Sequence, residues 1–375
     1  MLTRLFLAFM HPSLGGTKAK TTDIIPHHKL RTPDPMTNHT KTHCPRSIIL
    51  ICCAFCSLYL HPQAFAEIPE FEIQDNAVHL EHVGPDNPIL YDNDWWFDVF
   101  DNNYLWAQVH LGNARLVGNV VSRDMWDWQK GYLYSMDQCM KDAQKALDLA
   151  RKSGLRNIPD ITPGSDRVLE RPESGKISDT QPHPTPGSRL MVQEARKASP
   201  EKPLLIISGG PLTTVANALL TDPGIAPNIV VFNLTVAGGY NGKDGWSAWI
   251  VANKARLVDW ATGSFWDKNS VFTPADFEKL PANPFFDDMR RLIHSDLGQA
   301  NQLGDGAPLV WLWRHDCWRG VGFRKAVWGG RFLQLEKTDN REQADVLEIP
   351  KAKTDLKACR AEFFRILNLL EQTGE

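Results

Sequence analysis

Apolar residues in this chain occur in short unbroken runs, each followed by a polar or glycine-rich turn and then by a stretch of helical spacing. The first unit is Ile89-Leu90-Tyr91, which stops at Asp92, Asp94, Asp98 and Asp101 and is followed by Tyr104, Leu105, Ala107, Val109 and Leu111. It predicts a strand, an acidic turn and a helix. Residues 114–121 (ARLVGNVV) predict a buried strand. Met136, Met140, Ala143, Ala146, Leu147 and Ala150 predict a helix over residues 133–153. Residues 157–187, rich in Pro, Gly, Ser and Asp, predict a long loop, read as a lid over the acidic turn. A helix over 189–197 leads into the most strand-like run, residues 203–207 (PLLII), which ends in Ser208-Gly209-Gly210-Pro211 before a helix reaching Leu220. Residues 228–236 predict another strand, and residues 246–260, 285–297 and 354–370 predict helices. Strands alternating with helices, with glycine turns at strand ends, predict an α/β fold with a mostly parallel open sheet flanked by helices.

The N-terminal region changes what the chain is taken to be. Lys41 and Arg46 precede an apolar run of 14 residues, 47–60, and Ala64-Phe65-Ala66 offers small residues where a signal peptidase reads. Residues 1–66 are thus expected to be a leader, a mis-assigned start followed by a signal peptide with Met36 as the true start. Residues 67–375 are expected to form one domain, periplasmic or secreted. The run is too short for a comfortable membrane span, and Phe55 before Cys56 is unsuited to lipid attachment, so no stable membrane anchor is expected. Without the leader, 34 Lys and Arg face 42 Asp and Glu, a net charge of −8. An acidic chain without a basic stripe is a poor partner for nucleic acid. Cys139, Cys317 and Cys359 remain, enough for one disulfide at most, so the fold is not framed by disulfides.

Candidate chemistry concentrates at the acidic turn. Four carboxylates within ten residues repel one another unless a cation neutralises them, and a hard divalent metal such as Ca²⁺ or Mg²⁺ does so economically. The plainer reading is a solvated acidic turn, which the flanking Trp95 and Trp96 disfavour. Ser208–Pro211 reads either as a tight turn that needs glycine or as a strand end whose backbone approaches a ligand. Gly304-Asp305-Gly306 reads as a helix cap. His315-Asp316 reads either as an acid with its carboxylate or as a surface dipeptide. Tryptophans in predicted loops, among them Trp126 and Trp246, suit stacking on sugars or bases. Zinc-peptidase, C-x-x-C, hydrolase-elbow and P-loop patterns are absent after residue 66.

Taken in order, the acidic turn, Gly210-Pro211-Leu212-Thr213-Thr214-Val215-Ala216, Thr221-Asp222-Pro223 and the strand running into Gly238-Gly239 resemble the nucleoside hydrolases. That family has an aspartate-rich D-x-D-P-G-x-D-D turn, a G-P-L-T-N helix start, a D-P turn and an M-G-G strand end. Val99 stands where the family has its second metal-binding aspartate. The chain is more similar to the nucleoside-hydrolase-like domain of secreted bacterial proteins, often labelled cellulose-binding, with a D-I-G-G-D-P-D-D-Q-Q turn. Against it Asp94, Asp98 and Asp101 coincide with aspartates. Residues 243–250 (KDGWSAWI), 304–308 (GDGAP) and 328–331 (WGGR) look like further segments of that group.

The resemblance implies hydrolysis of an N-glycosidic or related glycosidic bond by a Ca-bound water. It implies Asp94 as metal ligand and general base, Asp101 as a bidentate ligand, and the Gly209 carbonyl and Asp305 completing the shell. Asp92 would support these ligands from behind. Asp98 and Asp244 would bind the sugar, Trp126, Trp246 and Trp249 would stack on it or on the leaving base, and His315 would protonate the leaving group. The partner would be a small nucleoside or sugar, with homo-oligomerisation left open. Two other readings stand beside it: a carbohydrate-binding protein that keeps the metal site without turnover, and a phosphatase of the haloacid-dehalogenase type. The latter would use Asp92-Asn93-Asp94, Ile207-Ser208 and Gly304-Asp305-Gly306.

Overall fold

A computed structural model describes residues 87–94, 100–123, 134–233, 244–261, 272–293, 309–310, 312–317, 322–330, 332–340, 344–350 and 355–370. Among the described residues nine strands form one sheet in the order β3-β2-β1-β4-β5-β6-β9-β7-β8. Strands β1 (Pro88–Asn93), β2 (Arg115–Val121), β3 (Ile161–Pro163), β4 (Leu204–Ser208), β5 (Ile229–Asn233), β6 (Arg256–Ala261) and β9 (Val346–Pro350) run parallel. Strands β7 (Gly322–Trp328) and β8 (Leu333–Thr338) complete one edge in antiparallel pairing.

The central strands are buried on both faces, and so their sequences are near-continuous apolar runs. Ile89, Tyr91, Leu205, Ile207 and Phe232 pack on one side with helices α1 (Asp101–His110), α2 (Met136–Lys152), α7 (Pro284–Ile293) and α8 (Leu356–Leu369). Leu90, Ile206, Ile229 and Val231 pack on the other with α3 (Pro186–Ala195), α4 (Thr213–Thr221) and α5 (Gly245–Lys254). A short helix, α6 (Pro274–Phe277), leads into α7. From β1 the chain steps to β2 on one side, while β4 lies on the other, so the crevice between β1 and β4 is the switch point of the sheet. Ligands of open α/β sheets bind at that crevice, beyond the carboxyl ends of the strands.

Local signals explain most boundaries. Ser135 caps α2 by accepting the Gln138 N–H, and Thr185 and Ser188 form a capping box around Pro186 at the start of α3. Two expectations change. The helix expected over 246–260 ends at Lys254, and Arg256–Ala261 is a strand, β6, paired with β5 and β9. Its run RLVDWA is too short for periodicity to tell strand from helix, and the parallel neighbours decide. The segment 157–187 is not a loop without regular structure. It supplies β3 at the sheet edge and is then tied down: Ser165 N–H to Thr214 Oγ1 at 2.9 Å, Asn217 Nδ2 to Ser165 Oγ at 3.1 Å, and His183 N–H to Asn217 Oδ1 at 2.7 Å. Among the described residues no helix is long and apolar enough to cross a membrane.

Candidate active site

The alternation of β1 sends Asp92 and Asn93 to opposite faces of the sheet. Asp92 turns toward α4. Its Oδ1 accepts the Ser122 hydroxyl at 2.7 Å, and Ser122 Oγ lies 2.8 Å from Thr214 Oγ1. Asp92 Oδ2 is buried and finds no hydrogen-bond partner. Burial pushes the Asp92 carboxyl up to about 7 against the opposing Ser122 and Thr214 hydroxyls. A fully buried Asp92 enclosed by hydroxyls is poorly placed to attack a phosphate, which weighs against the phosphatase reading.

Asn93 turns toward α1 and acts as the hub of the site. Its Oδ1 accepts the Asp94 N–H at 2.7 Å, and its Nδ2 donates to Asp101 Oδ2 at 2.6 Å and to the Tyr91 hydroxyl. Tyr91 also donates to Asp101 Oδ2, and the Asn102 N–H donates to Asp101 Oδ1 at 2.8 Å. Burial raises the Asp101 carboxyl to about 7, opposed first by Tyr91. With two donors on Oδ2 and one on Oδ1, Oδ1 is the oxygen with a lone pair left for a cation.

The end of β4 closes on this group. Asp92 pairs with Ser208, and the Gly209 N–H donates to the Asp92 carbonyl at 2.9 Å. A Cβ on Gly209 would sit 2.9–3.1 Å from the Asn93 amide, and one on Gly210 would sit 3.1 Å from both N and Cβ of Asp94. Only glycine permits this approach. Asp94, Asp101 Oδ1 and the Gly209 carbonyl are hard oxygen donors: Asp94 and Gly209 follow two strands that pack closely, and Asp101, at the start of α1, is tied to the first of them through Tyr91 and Asn93. They suit a hard divalent cation. Among the described residues no group of three or more His, Cys, Asp or Glu is arranged to hold a metal. Asp98, Asp305 and Trp126 lie outside the described residues.

A further buried carboxylate flanks the same turn. Thr213 Oγ1 donates to Asp244 Oδ2 at 2.6 Å, so adjacent threonines at the start of α4 grip Asp92 and Asp244. Burial raises the Asp244 carboxyl to about 7 against the Ser247 and Thr213 hydroxyls. Because its ordinary value is 3.8, the stability it lends is complete below that pH and is lost as pH rises through 7. In metal-free buffer the melting temperature should therefore fall between pH 5 and pH 8. Asp244→Asn should flatten part of that slope in a fluorimetric melting series, with Asp92 and Asp101 supplying the remainder; an unchanged slope would refute this assignment.

The aromatic residues are engaged internally. Trp246 is buried, donates from Nε1 to Thr180 Oγ1 at 3.0 Å and meets the Trp328 ring edge-on at 5.3 Å. Trp249 meets Trp328 at 5.7 Å, and the Arg171 guanidinium lies over Trp246 and Trp328 at 5.5 and 5.3 Å. Arg171 thus takes the place on Trp246 that a sugar or base would need. The backbone of His315 lies in a short turn (His315–Cys317), and its side chain is outside the described residues. Nearby Trp313 donates to the Asn113 carbonyl at 3.1 Å, past the end of α1 opposite Asp101. Asp316 pairs with Arg314 through both oxygens at 2.7 and 2.8 Å. Sequence reasoning missed Asn93, Tyr91 and Ser122. Their one signal was position: Asn93 and Tyr91 on one face of β1, Ser122 at the end of its neighbour.

No family model and no curated protein matches the chain by sequence. Solved structures do match. A purine-preferring ribonucleoside hydrolase from Gardnerella vaginalis superposes with TM-score 0.57 at 14% identity, covering 76% of this chain and 99% of that one. A plant nucleoside hydrolase gives 0.55 at 15% identity with 76% and 99% covered. The inosine-uridine preferring nucleoside hydrolase from Bacillus anthracis gives 0.52 at 13% identity with 75% and 99% covered. With its sheet order, its crossover at β1 and β4 and these neighbours, the chain has the fold of the nucleoside hydrolases.

Proposed function

We propose that the chain is an exported, metal-dependent hydrolase of an N-glycosidic bond in a nucleoside or nucleoside-like glycoside. The observation that carries this reading is the placement of Asp94 against Gly210, and of Asn93 against Gly209, at the switch point of a nucleoside hydrolase fold. Asp94, Asp101 through Oδ1 and the Gly209 carbonyl would hold the cation, calcium by resemblance, together with Asp305. Bound there, it would acidify a water and orient sugar hydroxyls. Asp94 would serve as general base, taking a proton from the attacking water. The acid cluster favours the cationic, oxocarbenium-like sugar as the bond to the base lengthens. Asp98 accepts a hydrogen bond from the sugar. Trp126 offers a face for stacking on the sugar or the leaving base.

The deciding assay follows release of base or reducing sugar from a panel of nucleosides and N- and O-glycosides, after chelation and again with Ca²⁺ restored. Calcium-dependent release from a nucleoside-like substrate is expected. Ligand binding without turnover on any member would establish the carbohydrate-binding alternative and overturn the enzyme.

A further inference from the structure

Three cysteines of the described chain are buried, and they are not equivalent. Cys139 belongs to a small separate cluster with Val121 and Ala143. Cys317 and Cys359 share the large core on the α1 face, with exposures of 1% and 0%. They are joined through Asp355: its N–H donates to the Cys317 carbonyl at 2.8 Å, and its carbonyl accepts the Cys359 N–H at 3.0 Å. The Asp355 side chain also caps α8 by accepting the Ala358 N–H at 3.0 Å, which fixes the first turn of the helix. The Asp355 bonds thus hold both cysteines as neighbours in one core, where each shifts the ionisation of the other. Cys359 first, and then Arg314, hold the Cys317 thiol below the ordinary thiol range.

We propose that Cys317 and Cys359 form a disulfide when the chain folds in an oxidising compartment. The pair stays as thiols where the compartment is reducing. Cys317, three residues from the Arg314 guanidinium that favours its thiolate, is the attacking group. It displaces one sulfur of a small-molecule disulfide such as oxidised glutathione to give a mixed disulfide. Cys359, losing its proton, then attacks the Cys317 sulfur and expels the second glutathione thiolate. One S–S bond forms and one breaks; two protein thiols are oxidised and one glutathione disulfide is reduced to two thiols. Because both sulfurs end up in the core, the step belongs to folding, before the junction closes. The bond would close a loop of about 40 residues spanning β7, β8 and β9. It would pin the segment that follows Asp305 to helix α8. Disulfide formation is independent of the substrate, so it stands or falls apart from the hydrolase reading.

The test refolds the full chain in a glutathione redox buffer and, in parallel, in excess reductant. Both preparations are then alkylated in denaturant, digested and mapped by mass spectrometry. A peptide linking Cys317 to Cys359, with Cys139 alkylated, is expected from the oxidised preparation alone. The link should resist reductant in the native state and yield once the chain is denatured. Cys317→Ser should melt about 5 °C or more below the oxidised wild type and close to the reduced wild type. Alkylation of both Cys317 and Cys359 in the oxidised preparation, or a link from either one to Cys139, overturns the proposal. The wild-type peptide map distinguishes these outcomes even if the variant does not fold.

Discussion

Asp94→Asn should lower turnover on whatever glycoside the chain cleaves by about three orders of magnitude, with little effect on folding. The side chain follows the last residue of β1. Its N–H is bonded to Asn93 Oδ1 at 2.7 Å, and Gly210 lies against its Cβ. Its direction is therefore set by backbone and neighbours, and asparagine, equal in size, would occupy the same position. What the amide cannot do is accept a proton from water or contribute a negative charge to a cation. Initial rates with saturating calcium, set beside ligand affinity from calorimetry, separate the two losses. Turnover at the wild-type level in Asp94→Asn would remove Asp94 as the base and with it the proposed mechanism. Wild-type ligand affinity in a variant whose parent also lacks turnover would identify a binding protein.

Gly209→Ala should lower the melting temperature by several degrees and weaken calcium-dependent activity at least tenfold. The new methyl would fall 2.9–3.1 Å from an Asn93 amide that cannot simply turn aside. That amide is bonded to the Asp94 N–H, to Asp101 and to Tyr91, and rotation breaks at least one of these bonds. Forcing a methyl into such a site costs about 1–3 kcal/mol, which for a domain of this size is a few degrees per kcal/mol in melting temperature. Asn93→Ala removes the obstacle and its bonds together, so Gly209→Ala should cost less in that background. Additive losses in the double variant would show that the close approach of β1 and β4 does not matter.

The parallel sheet was readable from the chain because strands buried on both faces must be written as short apolar runs, as at residues 203–207 and 228–233. The last third was harder to read. β6 follows α5 with only Ala255 between them and no glycine or proline to mark the break. β7 and β8 lie at an edge, where Arg324, Lys325, Glu336 and Lys337 dilute any apolar run. At the site, residue types were visible but pairings were not. Nothing in one dimension joins Asp92 to Ser122 and Thr214, or Asp244 to Thr213, because those bonds depend on strand order. Composition alone favoured open stacking for Trp246, whereas Thr180, Trp328 and Arg171 surround it. The sequence singled out the carboxylates that follow β1 but gave no role beside them to Asn93, the amide bonded to Asp101 and to the Asp94 N–H.

The two rims of the sheet close it to strand-by-strand extension. At one rim β3 is three residues long and ends in Pro163, which has no N–H to offer an incoming strand. At the other, β8 exposes Gln334, Glu336 and Lys337. A flat apolar border on nine strands would invite cross-β stacking between molecules as the protein folds. A blunted rim on one side and a charged one on the other oppose that hazard along the described sheet.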